Sequence, residues 1–345
     1  MPDSDTSVEQ SAVIGYDREI KDILNAIDRS GSGAPPHVAI VAEPMGGRTT
    51  IVNEIRRLYG DRVHYLTLDA VVTKKAMPDF AAMPQDIILI DNCAFLATRK
   101  IGGFDILNEF LNTQIISKKL FITTWNVYAW QYLDTVMNIN AYFPTIVILP
   151  KMDMPVTKQM ILSRYKPGDI RFIDEGTIER SMFFSIIHRK IRLPVLATEL
   201  TIPWIKLNFT VMLSRLPRKK RIQVSIEDVI FEKINRIADG NPGVAILVWE
   251  NCLVDNTITL SAIREETCAL SLDVNESFIL SNILSMKSVH YNDLSAIAGG
   301  EININQVVYR LFQQGLVQEK DGYFKISPML LKCVTEYLRK TRRLW

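Results

Sequence analysis

The chain has 345 residues, too many for one ordinary core, so two or three domains are expected, and its 48% hydrophobic content is ample for burial. A formal charge of +2 selects no partner class. Four cysteines, Cys93, Cys252, Cys268 and Cys333, lack metal-ligand spacing and are expected as reduced thiols, with Cys93 in a buried region.

Residues 1–10 are polar, lack an apolar signal core, and read as a flexible leader to a soluble, cytoplasmic protein. Residues 37–58 then read as a buried strand, a tight glycine-containing loop and an amphipathic helix. That order presents backbone N–H groups and a helix N-terminus to a phosphate. Against the pattern G-x-x-x-x-G-K-[ST], Ala42 stands at the first glycine and Arg48 at the lysine, whereas Gly47 and Thr49 match. The candidate nucleotide contacts are Gly46, Gly47, Arg48, Thr49 and Thr50, and the Thr49 hydroxyl is available to Mg²⁺.

Residues 63–68, 87–91, 119–126 and 145–150 supply further strand candidates alternating with helical segments. With the strand before the loop they argue for an α/β fold, a P-loop doubly wound parallel sheet. The run Ile87-Ile88-Leu89-Ile90 suits a strand covered on both faces. It delivers Asp91 to the carboxyl end of the sheet, where ligands bind and where an acid can orient hydrated Mg²⁺. Asn92 follows, in a position where ATPases of this layout usually carry a water-activating glutamate; an amide cannot act as a general base. Thr124 and Asn126 end a strand, where they could sense a terminal phosphate or simply cap the strand end.

The first domain is expected over 11–150. Residues 151–270 contain helical patterns at 157–165, 177–188 and 226–238, consistent with a helical lid. The portion 193–224 resists assignment and reads as an insertion, and its Arg218-Lys219-Lys220-Arg221 run reads as a solvated loop. The apolar window 193–213 is interrupted by Glu199, Pro203, Lys206 and Asn208, a poor membrane span, so no membrane partner is expected.

From 271 to 345 the pattern is that of a winged helix-turn-helix with a basic tail. Helices are expected at 276–286, 292–298 and 303–314, the second stopped by Gly299-Gly300. Residues 316–326 read as a hairpin around Asp321-Gly322, and a final helix spans 328–340. The third helix offers Asn305, Gln306 and Arg310 to base edges, and the wing offers Lys325 to phosphate. Cations are few on this surface, so packing onto the rest of the chain, or onto a protein partner, competes with DNA contact.

Three segments resemble the archaeal AAA+ and STAND ATPases, especially the origin-recognition-like members. The first is Val13-Ile14-Gly15-Tyr16-Asp17-Arg18-Glu19-Ile20, the second is the loop at 42–49, and the third is Gly240-Asn241-Pro242-Gly243 at a helix start. The resemblance implies ATP with Mg²⁺ as cofactors, Tyr16 and Pro242 bordering the adenine, and Thr49 and Asp91 holding the metal. It also marks departures: Met45 replaces a loop glycine, Gly243 stands where a lid arginine is common, and no arginine precedes the fifth strand. The expectation is an ATP-binding or formerly ATP-binding switch with a winged-helix output and weak or absent hydrolysis. A pseudo-ATPase scaffold for protein assembly and a DNA-binding regulator are the alternatives.

Overall fold

The computed structural model describes residues 13–30, 35–73, 77–173, 184–192, 199–207, 225–264 and 270–344. The expected leader therefore lies outside the described residues, as does the Arg218-Lys219-Lys220-Arg221 run.

Five strands form one parallel sheet: β1 (Val38–Ala42), β2 (Val63–Thr67), β3 (Ile87–Asp91), β4 (Leu120–Asn126) and β5 (Thr145–Ile148), in the order β2-β3-β4-β1-β5. Alternate residues of β1, β3 and β4 enter different cores. Val38, Ile40 and Ala42 pack towards α1 (Asp17–Arg29) and α2 (Arg48–Tyr59), while Ala39 and Val41 face α3 (Asp105–Ile116) and α4 (Val127–Met137). A sheet buried on both faces explains the continuous apolar strands and makes the domain doubly wound. Register places Ala42 beside Asn126, so the loop after β1 opens next to the end of β4.

The lid comprises α5 (Met154–Leu162), α6 (Ile226–Ala238) and α7 (Pro242–Cys252), with β6 (Arg171–Ile173) paired in parallel to β9 (Thr257–Thr259). Phe231 stacks on Trp249 with ring centroids 5.3 Å apart, and Lys158 binds Asp228 at 2.6 Å, joining α5 to α6. The helix expected at 177–188 is not what forms over its described part. Residues 184–188 belong to β7 (Phe184–Arg192), which pairs antiparallel with β8 (Glu199–Leu207), inside the segment that resisted assignment. Here a long-range partner strand overrides a local helical pattern.

The C-terminal elements are α8 (Val274–Ser285), β10 (Val289–His290), α9 (Tyr291–Ala298), α10 (Ile304–Gln313), β11 (Val317–Lys320), β12 (Tyr323–Ile326) and α11 (Leu331–Lys340). Their order and the sheet β10-β12-β11 make a winged helix. Asp273 and Glu276 close a full capping box on α8. Asp321 and Gly322 both adopt positive φ, as a two-residue hairpin turn requires.

One continuous core runs from Phe95 and Tyr128 of the sheet domain through Phe231 and Trp249 of the lid to Leu280, Leu311 and Leu338 of the winged helix. Cys93 is buried and free, as expected, and Cys252 is free. Cys333 is disulfide-bonded, which corrects the expectation of four reduced thiols. Among the described residues no helix is long and apolar enough to cross a membrane.

Candidate nucleotide-binding site

The loop between β1 and α2 turns sharply because Gly46 N donates to Glu43 O at 3.0 Å and Gly47, the residue capping α2, sits at φ 90°. At Gly46 a Cβ would lie 2.9 Å from Glu43 O, and at Gly47 it would lie 2.7 Å from Tyr16 Cε2. Glycine is therefore required at both by close approach, and at Gly47 also by conformation. Met45 also takes a positive φ, 62°, an uncommon conformation for a side chain of that size.

Tyr16 is the loop's main neighbour. It is buried, its hydroxyl donates to Gly46 O at 3.0 Å, and burial, helped by Glu19, raises its pKa. Its ring packs against the glycines as part of the core beneath α2.

Arg48 is the most unusual side chain of the site. It is 8% exposed, and burial pushes its pKa down to about 10 against the opposing pull of Asp91 and Cys93. Among the described residues its guanidinium makes no hydrogen bond or ion pair within 4 Å, and the Asp91 carboxylate acts on it only at longer range. Thr49 and Thr50 are exposed.

Asp91 ends β3, buried, in keeping with its apolar strand. Its Oδ1 accepts from the Thr124 hydroxyl and from Asn92 N at 3.0 Å, while Asn92 N also reaches Thr124 Oγ1 at 2.9 Å. No hydrogen bond joins Thr49 to Asp91. Asn92 is left-handed at φ 64°, 5% exposed, and its Nδ2 has no partner. Asn126 acts as a cap, its Oδ1 accepting from Tyr128 N at 3.0 Å. Its Nδ2 also donates to Leu284 O at 2.7 Å, across to the winged helix.

The lid closes on the loop from the other side. Asn241 caps α7 by accepting from Val244 N, and its Nδ2 donates to Pro44 O at 2.7 Å; Gly243 N donates to Met45 O at 3.2 Å. A Cβ at Gly243 would fall 2.7 Å from both Met45 Cβ and Met45 O, so the glycine is what lets helix and loop touch. An arginine in its place would hold them apart.

Between these elements lies a cavity of about 180 Å³ lined by Val13, Tyr16, Met45, Thr50, Met152 and Pro242 among others. It brings together the N-terminal segment, the loop and the lid, the three regions whose motifs single out Tyr16, Thr50 and Pro242. Gly47 also lines it, whereas Gly46, Thr49 and Asp91 do not. Met152, Met160 and Arg164 complete the wall from the start of the lid, and no motif or spacing in the sequence marks them.

The four nucleic-acid candidates lie on two elements, α10 and β12, and all four are exposed. Asn305 and Gln306 are exposed on α10, but Arg310 turns back to Asp273 at 3.4 Å and Glu276 at 3.7 Å. Lys325 lies on β12 and lines a cavity shared with Arg48. The most exposed large apolar groups of α10 are Tyr309 and Phe312. In the tail, Arg339 pairs with Glu43 at 3.6 Å and lies over the Tyr128 ring, bound to the loop's own flank.

No family model matches the chain, and no curated protein matches it. Among solved structures it is similar to the Thermotoga maritima RuvB Holliday junction branch migration motor, with 16% identity, 93% of this chain and 95% of that chain covered, and a TM-score of 0.43. It is similar also to Cdc6p from Pyrobaculum aerophilum, at 10% identity, 97% of each chain and a TM-score of 0.44. The Hsp104:casein complex of S. cerevisiae is matched over 47% of this chain and 32% of that one, at 13% identity and a TM-score of 0.34. At these values the likeness carries no argument about function.

Proposed function

We propose that the chain is an adenine-nucleotide-binding switch of the AAA+/STAND type whose winged helix is docked against the nucleotide domain, with hydrolysis weak or absent. The observation that carries this reading is the cavity of about 180 Å³ formed where the Tyr16 segment, the β1–α2 loop and the Asn241-Pro242-Gly243 helix start converge. Its mixed apolar and polar wall suits a purine, with Tyr16 and Pro242 bordering the ring. Gly46, Gly47 and the amide of Thr49 would cradle phosphate, Arg48 would neutralise it, and Thr49 with Asp91 would hold Mg²⁺. Magnesium would supply charge neutralisation of the outer phosphates. Asp91 would take part through Oδ2, since its Oδ1 accepts from Thr124 and from Asn92 N.

Weak hydrolysis is expected because Asn92 has no basic carboxylate, is buried and lines no part of the cavity. The pseudo-ATPase scaffold is favoured by one specific feature, the capture of Pro44 O, Met45 O and Gly46 O by Asn241, Gly243 and Tyr16, which fixes the loop without any ligand. DNA contact through Asn305, Gln306, Arg310 and Lys325 is the third reading.

Calorimetric titration of the full chain with ATP, with and without Mg²⁺, separates the first two. The switch reading expects binding, stronger with Mg²⁺ and lost in Gly47→Val. Absence of binding at millimolar ATP in both conditions would leave the scaffold. A mobility-shift series over salt tests the third.

A further inference from the structure

A second cavity, of about 260 Å³, lies between the loop and the winged helix, walled by Pro44, Met45, Leu284 and Pro328 among others. Three cations line it: Arg48 from α2, Lys287 from the turn after α8, and Lys325 from β12. No carboxylate lines it. The nearest acid in sequence, Glu43, is already held by Lys151, Arg339 and the Tyr128 hydroxyl. Lys287 and Lys325 are exposed and make no ion pair with a described residue.

Buried charge is ordinarily paired, and a buried polar group without a partner calls for an explanation such as an ion. Arg48 is more than nine-tenths buried, makes no hydrogen bond or ion pair within 4 Å with a described residue, feels the Asp91 carboxylate only at longer range, and borders a chamber that two further cations face. The rest of the wall is apolar, so the local dielectric is low and an anion there would interact more strongly than at an open surface. A guanidinium with two ammonium groups matches the many oxygens of a phosphate chain.

The geometry points to an oxyanion site for phosphate groups built jointly by Arg48 of the loop and Lys287 and Lys325 of the winged helix. This deepens the nucleotide reading by adding residues outside the nucleotide domain, and it rests on that reading only for the source of the phosphates. The chamber and the base-side cavity share Met45. The phosphate end of a nucleotide, or free pyrophosphate, would thus join the winged helix to the loop.

The test is calorimetric titration of the full chain with inorganic pyrophosphate and, separately, with ATP, both in the presence of a chelator. The double variant Lys287→Met with Lys325→Met is compared with the wild type and with Lys320→Met, a wing lysine outside the chamber. Both ligands are expected to bind the wild type and Lys320→Met alike, and the double variant is expected to lose about tenfold or more in affinity for each. Its melting temperature without ligand should stay at the wild-type value, since both lysines are exposed. A wild type that takes no pyrophosphate at millimolar concentration, or a double variant that binds as the wild type does, overturns the inference. ATP binding unchanged in the double variant leaves the nucleotide reading standing while the chamber falls. ATP binding no tighter than pyrophosphate, with both weakened in the double variant, does the reverse.

Discussion

The Tyr16 hydroxyl donates to the Gly46 carbonyl at 3.0 Å, across thirty positions of sequence, and so ties the segment before α1 to the loop that would receive phosphate. The contact uses a loop oxygen and engages no loop amide, so it is compatible with anion binding. Tyr16→Phe keeps the ring against Gly47 and removes only this bond. It should cost about 1 kcal/mol in urea unfolding, whereas Tyr16→Ala should cost about 3–5 kcal/mol by leaving a cavity. Equal losses in the two variants would show that the hydroxyl, not the ring, holds the loop.

Arg48 burdens the ligand-free protein. Its folded pKa, about 10, lies below the ordinary guanidinium value, so the unfolded chain binds the proton more tightly. The penalty is fully present at neutral pH and declines as pH rises through about 10. Arg48→Met should accordingly stabilise the ligand-free protein by about 1–4 kcal/mol at pH 7, with the advantage narrowing above pH 10. Thermal unfolding over pH 7–10.5 measures both effects.

Asn241 serves two elements at once, capping α7 and donating to Pro44 O. Asn241→Asp preserves the cap acceptor and removes the donor, whereas Asn241→Ala loses both. The alanine variant should cost about 1–2 kcal/mol for the cap alone, and more with the lost contact. Proteolysis at the loop should accelerate in both variants, because both release Pro44.

Placing a glutamate at position 92 should not restore hydrolysis. The Asn92 side chain is buried in a left-handed residue and lines neither cavity beside the loop. Asn92→Glu would place a carboxylate in that setting, at a cost of about 2 kcal/mol or more. Unfolding midpoints and steady-state phosphate release check it together; faster turnover with unchanged stability would mean that the side chain reaches solvent.

The strands are legible in the sequence because a sheet covered on both faces demands uninterrupted apolar runs, as in Ile87-Ile88-Leu89-Ile90. The winged helix is legible through local chemistry, the Asp321-Gly322 turn and the glycine stop after Ala298. Residues 184–188 carry a helical pattern yet form a strand because they pair with β8, Phe184 opposite Leu207 and His188 opposite Pro203, and no local pattern records such pairing. The site divides in the same way. Tyr16, Thr50 and Pro242 can be named from sequence because each belongs to a short motif, whereas Lys287 reaches its cavity only through the docking of α8, which Asn126 and Leu284 O secure across 158 positions. Arg310 looks free on its own helix face because its carboxylate partners lie on another element.

The shared core from Tyr128 through Trp249 to Leu338 also governs how the protein can be taken apart. Cutting the chain near residue 270 would wet apolar side chains on both sides of the cut, so an isolated winged helix would be sticky and a truncated remainder aggregation-prone. Undocking by a partner meets the same resistance. A partner able to lift the winged helix must offer an apolar surface of its own to replace the one removed, which makes release a swap between protein faces instead of a simple opening into water.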